Sequence, residues 1–134
     1  PKPSSAASDV YKRQGFDIED SCNAILIKAK KPEEFYAMFC VLGSTRLDVN
    51  QKAKTAMGAK RVSFASREEA EEVTNQTYGG ISPLGLPDNI KIFIDENVMS
   101  REKLFIGAGN RVSKFFLSPE SLVDLTDAEV LDLT

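Results

Sequence analysis

Strand pairs mixed with helical crossovers predict a single α+β domain built on a mixed β-sheet. Three observations carry that reading. Short runs rich in β-branched, aromatic and aliphatic residues recur along the chain. Segments with helix caps and apolar stripes separate some of them. A chain of 134 residues, 42% of them hydrophobic, is long enough for one core and too short for two full domains.

Residues 1–14, PKPSSAASDVYKRQ, lack apolar periodicity and are rich in Ser, Ala and Pro. They are expected to form a disordered or non-native tail, since SDVYKRQ also resembles translated adaptor sequence. The domain is expected over residues 15–134, without its native N-terminal segment. CNAILIKAK and EEFYAMFCVLG, separated by KKP, predict a two-stranded hairpin. A turn centred near Lys31 would set Lys28 opposite Glu34, Leu26 opposite Tyr36, Ala24 opposite Met38 and Cys22 opposite Cys40.

STRLDVNQKAKTAMG follows, with Ser44 or Thr45 as N-cap, Val49, Ala53, Ala56 and Met57 on one stripe, and Gly58 as the stop. KRVSFA is a short strand. Ser66 and Glu69 then form an S-x-x-E capping box that opens a second, surface helix, REEAEEVTNQT, with Ala70 and Val73 facing inward. After the loop TYGGISPLGLP come three strands, NIKIFIDENV, KLFIGAGN and RVSKFFLS. In the first of these Ile90, Ile92 and Ile94 alternate with Lys91 and Phe93. SPESLVDL has Ser118 as cap and Pro119 at the first helical position, and AEVLDL completes the order as a last strand.

Composition removes several chemistries. The chain has no histidine, which excludes Ser-His-Asp and Cys-His catalysis, the HExxH zinc motif and histidine general bases. Cys22 and Cys40 have no CxxC spacing and are expected as reduced, half-buried thiols. No apolar run approaches the roughly 20 residues that cross a bilayer, so a soluble cytoplasmic protein without a membrane partner is expected. Net charge is −3, but the chain through Arg61 carries 11 basic and 7 acidic residues (+4) and the remainder 6 and 13 (−7), so one half could meet a polyanion.

The loop from Thr77 to Pro87 admits two readings. Gly79 and Gly80 allow positive φ and close approach of another molecule, Pro83 and Pro87 stiffen the exit, and successive exposed N–H groups would form an anion or oxyanion site. It is otherwise an ordinary connection. Asp48, with Arg46 at the start of a helix, complements the helix dipole. Asp95 either orients water or is a turn carboxylate. Lys52, Lys54, Lys60 and Arg61 touch phosphates or form a solvated face. GAGN lacks the GxGxxG pattern of a nucleotide fingerprint.

GGISP, placed between EEVTNQT and the strand IFIDENV, is similar to the G-x-x-x-P loop of YbaK-type aminoacyl-tRNA editing domains, relatives of the editing insertion in bacterial prolyl-tRNA synthetases. NAILI, GSTRLDVNQKAKTAMG, RVSFAS, IFIDENVM and IGAGN fall in that family's order and spacing across most of Asp20 to Thr134. The resemblance implies a curled, barrel-like mixed sheet flanked by helices. It also implies hydrolysis of the ester joining a wrong amino acid to the tRNA 3′ end, without cofactor or metal. Its partners would be aminoacyl-tRNA and an aminoacyl-tRNA synthetase.

On this resemblance Gly79 to Pro83 form the wall beside the scissile ester and the terminal adenosine. Asn23, Gly79, Gly80, Ser82 and Asn110 are the catalytic candidates. Arg46, Asp48, Ile81, Pro83, Asp95, Gly107 and Gly109 are the substrate-contacting ones. The best-studied members carry lysine where Asn23 stands, although some relatives share the asparagine, and some have histidine in place of Asn110. Asn23 can hydrogen-bond a carbonyl or a water but supplies no positive charge. On the resemblance a free-standing deacylase is the favoured expectation, and a non-catalytic module binding an aminoacyl-tRNA end or a nucleotide-like ligand, which Asn23 would serve as well, is the alternative.

Overall fold

The computed structural model describes residues 20–110 and 114–134, so the expected tail at 1–14 lies outside the described residues. Seven strands form in the expected order: β1 (Cys22–Lys31), β2 (Phe35–Leu42), β3 (Arg61–Phe64), β4 (Lys91–Asp95), β5 (Leu104–Gly107), β6 (Lys114–Leu117) and β7 (Glu129–Leu131). A π-helical turn (Val49–Ala53) runs into α1 (Lys54–Met57), and α2 (Arg67–Thr74) and α3 (Pro119–Thr126) are the other α-helices among the described residues, with a 3-10 turn (Glu96–Ser100) after β4.

The main sheet has the order β3-β1-β2-β4-β7, antiparallel from β3 to β2 and parallel from β2 to β7. The mixed α+β architecture is as expected, but the barrel is not. β3 and β7 are the two open edges, and β6 pairs with β5 alone in a separate two-stranded ribbon. Closure would need a continuous ladder round the sheet. Edge strands of four and three residues leave that ladder open.

The hairpin forms two residues out of the expected register. Cys22 faces Leu42, Ala24 faces Cys40, Leu26 faces Met38 and Lys28 faces Tyr36. The turn is centred on Pro32 rather than Lys31, as suits a residue with no N–H to give a ladder. A slip of two keeps every side chain on its face. Cys22 and Cys40 thus share one core, both free and fully rather than half buried. The neighbouring Cys22 thiol and burial push the Cys40 thiol well up, so it stays protonated.

Two cores lie on opposite faces of the sheet. One gathers Leu26, Met38, Ile92 and Ile94 under α2, α3 and the 3-10 turn. The other gathers Ile27, Phe39, Phe93 and Leu133 under α1. Phe93 was expected to alternate outward with Lys91 but is buried and stacks on Phe39 at 5.1 Å between centroids. The reason is topological: β4 lies between β2 and β7 and is covered on both faces.

Local helix signals match with one exception. Ser66 and Glu69 make the expected reciprocal capping box, and Ser118 caps α3 with Pro119 at its start. The first helix is capped by Asp48, which accepts the Gln51 N–H at 3.1 Å, and not by Ser44 or Thr45. The Thr45 hydroxyl turns back to the Leu42 carbonyl at 2.8 Å, so the chain first makes a turn. Gly58 ends the helix at φ 64° as expected.

Candidate functional site

The Gly/Pro-rich segment is a braced loop. Asn75 terminates α2 in the left-handed conformation, and the chain then folds back on the helix that launched it. The Tyr78 N–H donates to the Glu71 carboxylate at 2.8 Å and the Gly80 N–H to the Thr77 carbonyl at 3.0 Å. The Gln76 carboxamide spans the interior, accepting from the Ser82 N–H and donating to the Leu84 carbonyl at 3.2 Å. Leu84 in turn donates its N–H to the Ser82 hydroxyl at 3.1 Å. The amides of residues 78, 80, 82 and 84 are thereby consumed. Those of Gly79 and Ile81 have no acceptor among the described residues.

This loop is clamped backbone to backbone against the exit of β5. Thr77 N–H donates to the Gly109 carbonyl at 2.9 Å, and Gly109 N–H to the Gly80 carbonyl at 2.7 Å. A Cβ on Gly80 would stand 1.8 Å from the Asn110 carbonyl oxygen, and one on Gly107 would stand 2.5 Å from the Gly80 carbonyl oxygen. Both glycines are required because nothing larger fits between the two chains. Gly79 adopts φ 94° and Gly109 φ 90°, the left-handed region that favours glycine.

Asn23 enters from the sheet. β1 packs beside β5, and the parallel bridge from Ser21 to Phe105 brings the start of β1, two residues before Asn23, next to that strand. Asn23 is exposed. The structure therefore brings Asn23, Gly79 to Pro83, Gly107, Gly109 and Asn110 to one end of the molecule. Within that group Ser82 and Pro83 are buried, with the Ser82 hydroxyl bracing the loop.

The other candidates lie apart. Arg46 and Asp48 belong to the connection after β2, whose Gly43 N–H donates to the Ser21 carbonyl at 2.8 Å, and they line a separate hollow. Asp95 is fully buried. Its Oδ1 accepts the Leu133 N–H at 2.9 Å, while Oδ2 has no partner among the described residues. It pins the C-terminal residues and does not line an open cleft.

Electrostatics hold the loop-bearing helix onto the sheet. Glu69 of α2 accepts from Lys28 Nζ at 2.8 Å and from the Tyr36 hydroxyl at 2.9 Å, and its other oxygen accepts the Ser66 N–H at 3.0 Å. The Lys28 ammonium, then the Ser66 amide and the Tyr36 hydroxyl, hold the Glu69 carboxyl down at about 2. Lys28 thus spends its charge on Glu69 rather than on the expected Glu34. The hydrogen bond to Glu69 raises the Lys28 ammonium, and burial, then that carboxylate, raises the Tyr36 phenol.

Two residues at this end escaped sequence reasoning. Gln76 reads as one more polar residue past a helix, and only the folded loop shows both ends of its amide in use. Lys114 stands opposite Gly107 on β6, and burial lowers its ammonium. Its signal was weak: a lysine opening an aromatic strand. Among the described residues no group of three or more His, Cys, Asp or Glu side chains converges on a metal position. The loop and β5 exit can offer amide donors and a neutral amide side chain around a small acyl group.

The chain is similar to several known proteins. A protein of Enterococcus faecalis named as a Cys-tRNA(Pro)/Cys-tRNA(Cys) deacylase is 28% identical over 92 residues, which cover 69% of this chain and 56% of that protein. The proline–tRNA ligase of Nautilia profundicola is 35% identical over 107 residues, covering 70% of this chain and 18% of the ligase. The chain thus spans about half of the first relative and under a fifth of the second. A crystal structure described as a trans-editing enzyme for prolyl tRNA synthetase superposes with a TM-score of 0.84 at 26% identity, covering 98% of this chain and 82% of the other. The profile of the aminoacyl-tRNA editing domain matches residues 1–125, and the chain belongs to that family.

Proposed function

We propose that this chain is a trans-editing deacylase, which hydrolyses the ester between a mismatched amino acid and the 3′ end of tRNA. The observation that carries this is the alternating use of the loop's amides, which leaves the Gly79 and Ile81 N–H groups without an acceptor among the described residues, beside a rigid glycine clamp. Water attacks the ester carbonyl, and the oxyanion that forms lies against those two donors. Each such donor is worth about 10²–10³ in rate at a preorganised site. The tetrahedral intermediate then collapses, and the terminal ribose oxygen leaves with a proton that ultimately derives from the attacking water. Free amino acid and intact tRNA are released.

Asn23 orients the water or the carbonyl rather than acting as a base, and Asn110 sits against the loop's other flank. An aminoacyl ester is already labile, so positioning and oxyanion stabilisation suffice in a chain without histidine. Ile81 and Pro83 shape the acyl pocket, and no cofactor takes part. The reading places the protein in the cytoplasm, with an aminoacyl-tRNA synthetase upstream as the source of mischarged tRNA.

A second reading rests on a specific observation: neither Asn23 nor Asn110 can carry a charge or a proton in this role. In that case the pocket binds an aminoacyl-tRNA end without turnover. Deacylation measured against a panel of mischarged tRNAs separates the two. The hydrolase accelerates at least one of them over buffer; acceleration of none overturns it and leaves the binding module.

A further inference from the structure

One aromatic ring is exposed beyond all others among the described residues. Phe64, the last residue of β3, is 61% exposed, although it lies opposite Ile27 on the face that α1 covers. Val62, two residues earlier on the same face, packs against that core, so coverage by the helix runs out at Phe64. Leaving a phenylalanine in water forfeits much of the about 1.5–3 kcal/mol its burial would contribute. A large exposed apolar group is the informative exception on a protein surface.

Phe64 is also not alone. It lines a hollow of ≈ 660 Å³ with Arg46, Leu47, Asp48, Val49 and Asn50, within the 300–1,000 Å³ range of small-ligand sites. Arg46 is exposed and pairs with no carboxylate among the described residues. The Asp48 carboxylate is turned to the Gln51 amide as the helix cap. Asn50 is exposed and adds amide donors and an acceptor at the rim. An open aromatic face, an uncommitted guanidinium and an amide side chain match the parts of one nucleotide: a base to stack, a phosphate to neutralise and a base edge to hydrogen-bond.

We infer that the Phe64–Arg46 hollow is a second subsite, which stacks an unpaired base of the tRNA 3′ end on Phe64 and holds its phosphate at Arg46. The inference rests on the aminoacyl-tRNA reading for the source of that base. Phe64 pairs with Ile27, which lies four residues along β1 from Asn23 on the same face, about 13 Å at strand rise. The subsite therefore takes a nucleotide upstream of the terminal adenosine, and the glycine-clamped end takes the ester. Base–aromatic stacking of this kind is sequence-tolerant.

The test is binding of a short single-stranded RNA ending in CCA to the full chain, followed by fluorescence anisotropy, with adenosine monophosphate as a second ligand. Phe64→Ala is expected to weaken RNA binding at least about 5-fold, Phe64→Tyr to restore it, and Arg46→Ala to weaken it with a shallower salt dependence. The unfolding midpoint of Phe64→Ala is expected to stay at the wild-type value. RNA binding unchanged in Phe64→Ala overturns the subsite. Adenosine monophosphate binding as tightly as the RNA, and equally Phe64-dependent, overturns the tRNA end as its occupant. Phe64-dependent RNA binding in a protein that deacylates nothing sinks the hydrolase and keeps the subsite; deacylation with RNA binding and KM untouched by Phe64→Ala does the reverse.

Discussion

The two candidate walls are made of different material. Residues 77–84 with the β5 exit are backbone against backbone, with glycines where a single methyl group would collide and amides paired off alternately. Residues 46–50 with Phe64 present side chains, held by the Asp48 cap, by the Asp48 N–H on the Leu133 carbonyl and by the pairing of Phe64 with Ile27. The first wall holds a fixed geometry that tolerates little substitution. The second has side chains that can change while the fold stays, which suits a surface that grips a variable partner.

That contrast orders the expected effects of substitution. Gly80→Ala should be the most damaging, because its methyl group meets the Asn110 backbone, which has no flexible end to move aside. A loss of about 3 kcal/mol or more is expected from denaturant unfolding, read as a lower midpoint at unchanged slope. A midpoint equal to wild type would show that the clamp is not rigid. Gln76→Ala comes next. It strips partners from the Ser82 N–H and the Leu84 carbonyl together and should cost about 2 kcal/mol. It should also slow deacylation at wild-type tRNA affinity, since it loosens the loop without touching the other wall.

On the side-chain wall, Asp48→Ala removes one helix cap and should cost about 1 kcal/mol in the same unfolding measurement. An effect equal to that of Gly80→Ala would erase the distinction between the walls. The smallest effect is confined to acid. Glu69 has a folded value of about 2, below its ordinary value of 4.5, so its stabilisation is complete above about pH 4.5 and is lost as pH falls toward 2. Glu69→Gln should flatten the acid limb of stability against pH in that window. Identical limbs for variant and wild type would show that the Lys28–Glu69–Tyr36 brace contributes nothing.

Local signals were legible where the cause was local. The Ser66–Glu69 capping box, the Ser118–Pro119 start and the Gly58 stop each depend on a few neighbouring residues, and each forms as the residue types dictate. The two glycine clusters could also be singled out, through their likeness to the motifs of the editing-domain family, since a Gly/Pro-rich loop alone reads as an ordinary connection. Their mutual contact could not, since Gly80 and Gly107 meet only after two strands and a turn have intervened. The burial of Phe93 and the capture of Lys28 by Glu69 instead of Glu34 failed for the same reason. Each was decided by a partner far along the chain.

The amino-acid sequence by itself determined the order of strands and helices, the exclusion of histidine chemistry and the family to which the motifs point. The capping box, the helix stop at Gly58 and the composition are properties of short windows, and they keep their meaning when distant segments pack. Tertiary structure alone decided that the sheet stays open, that Asp95 is a buried tie rather than a cleft residue, and that Phe64 is left bare beside Arg46. Those outcomes depend on which surfaces run out of cover when distant segments pack, and no short window contains that information.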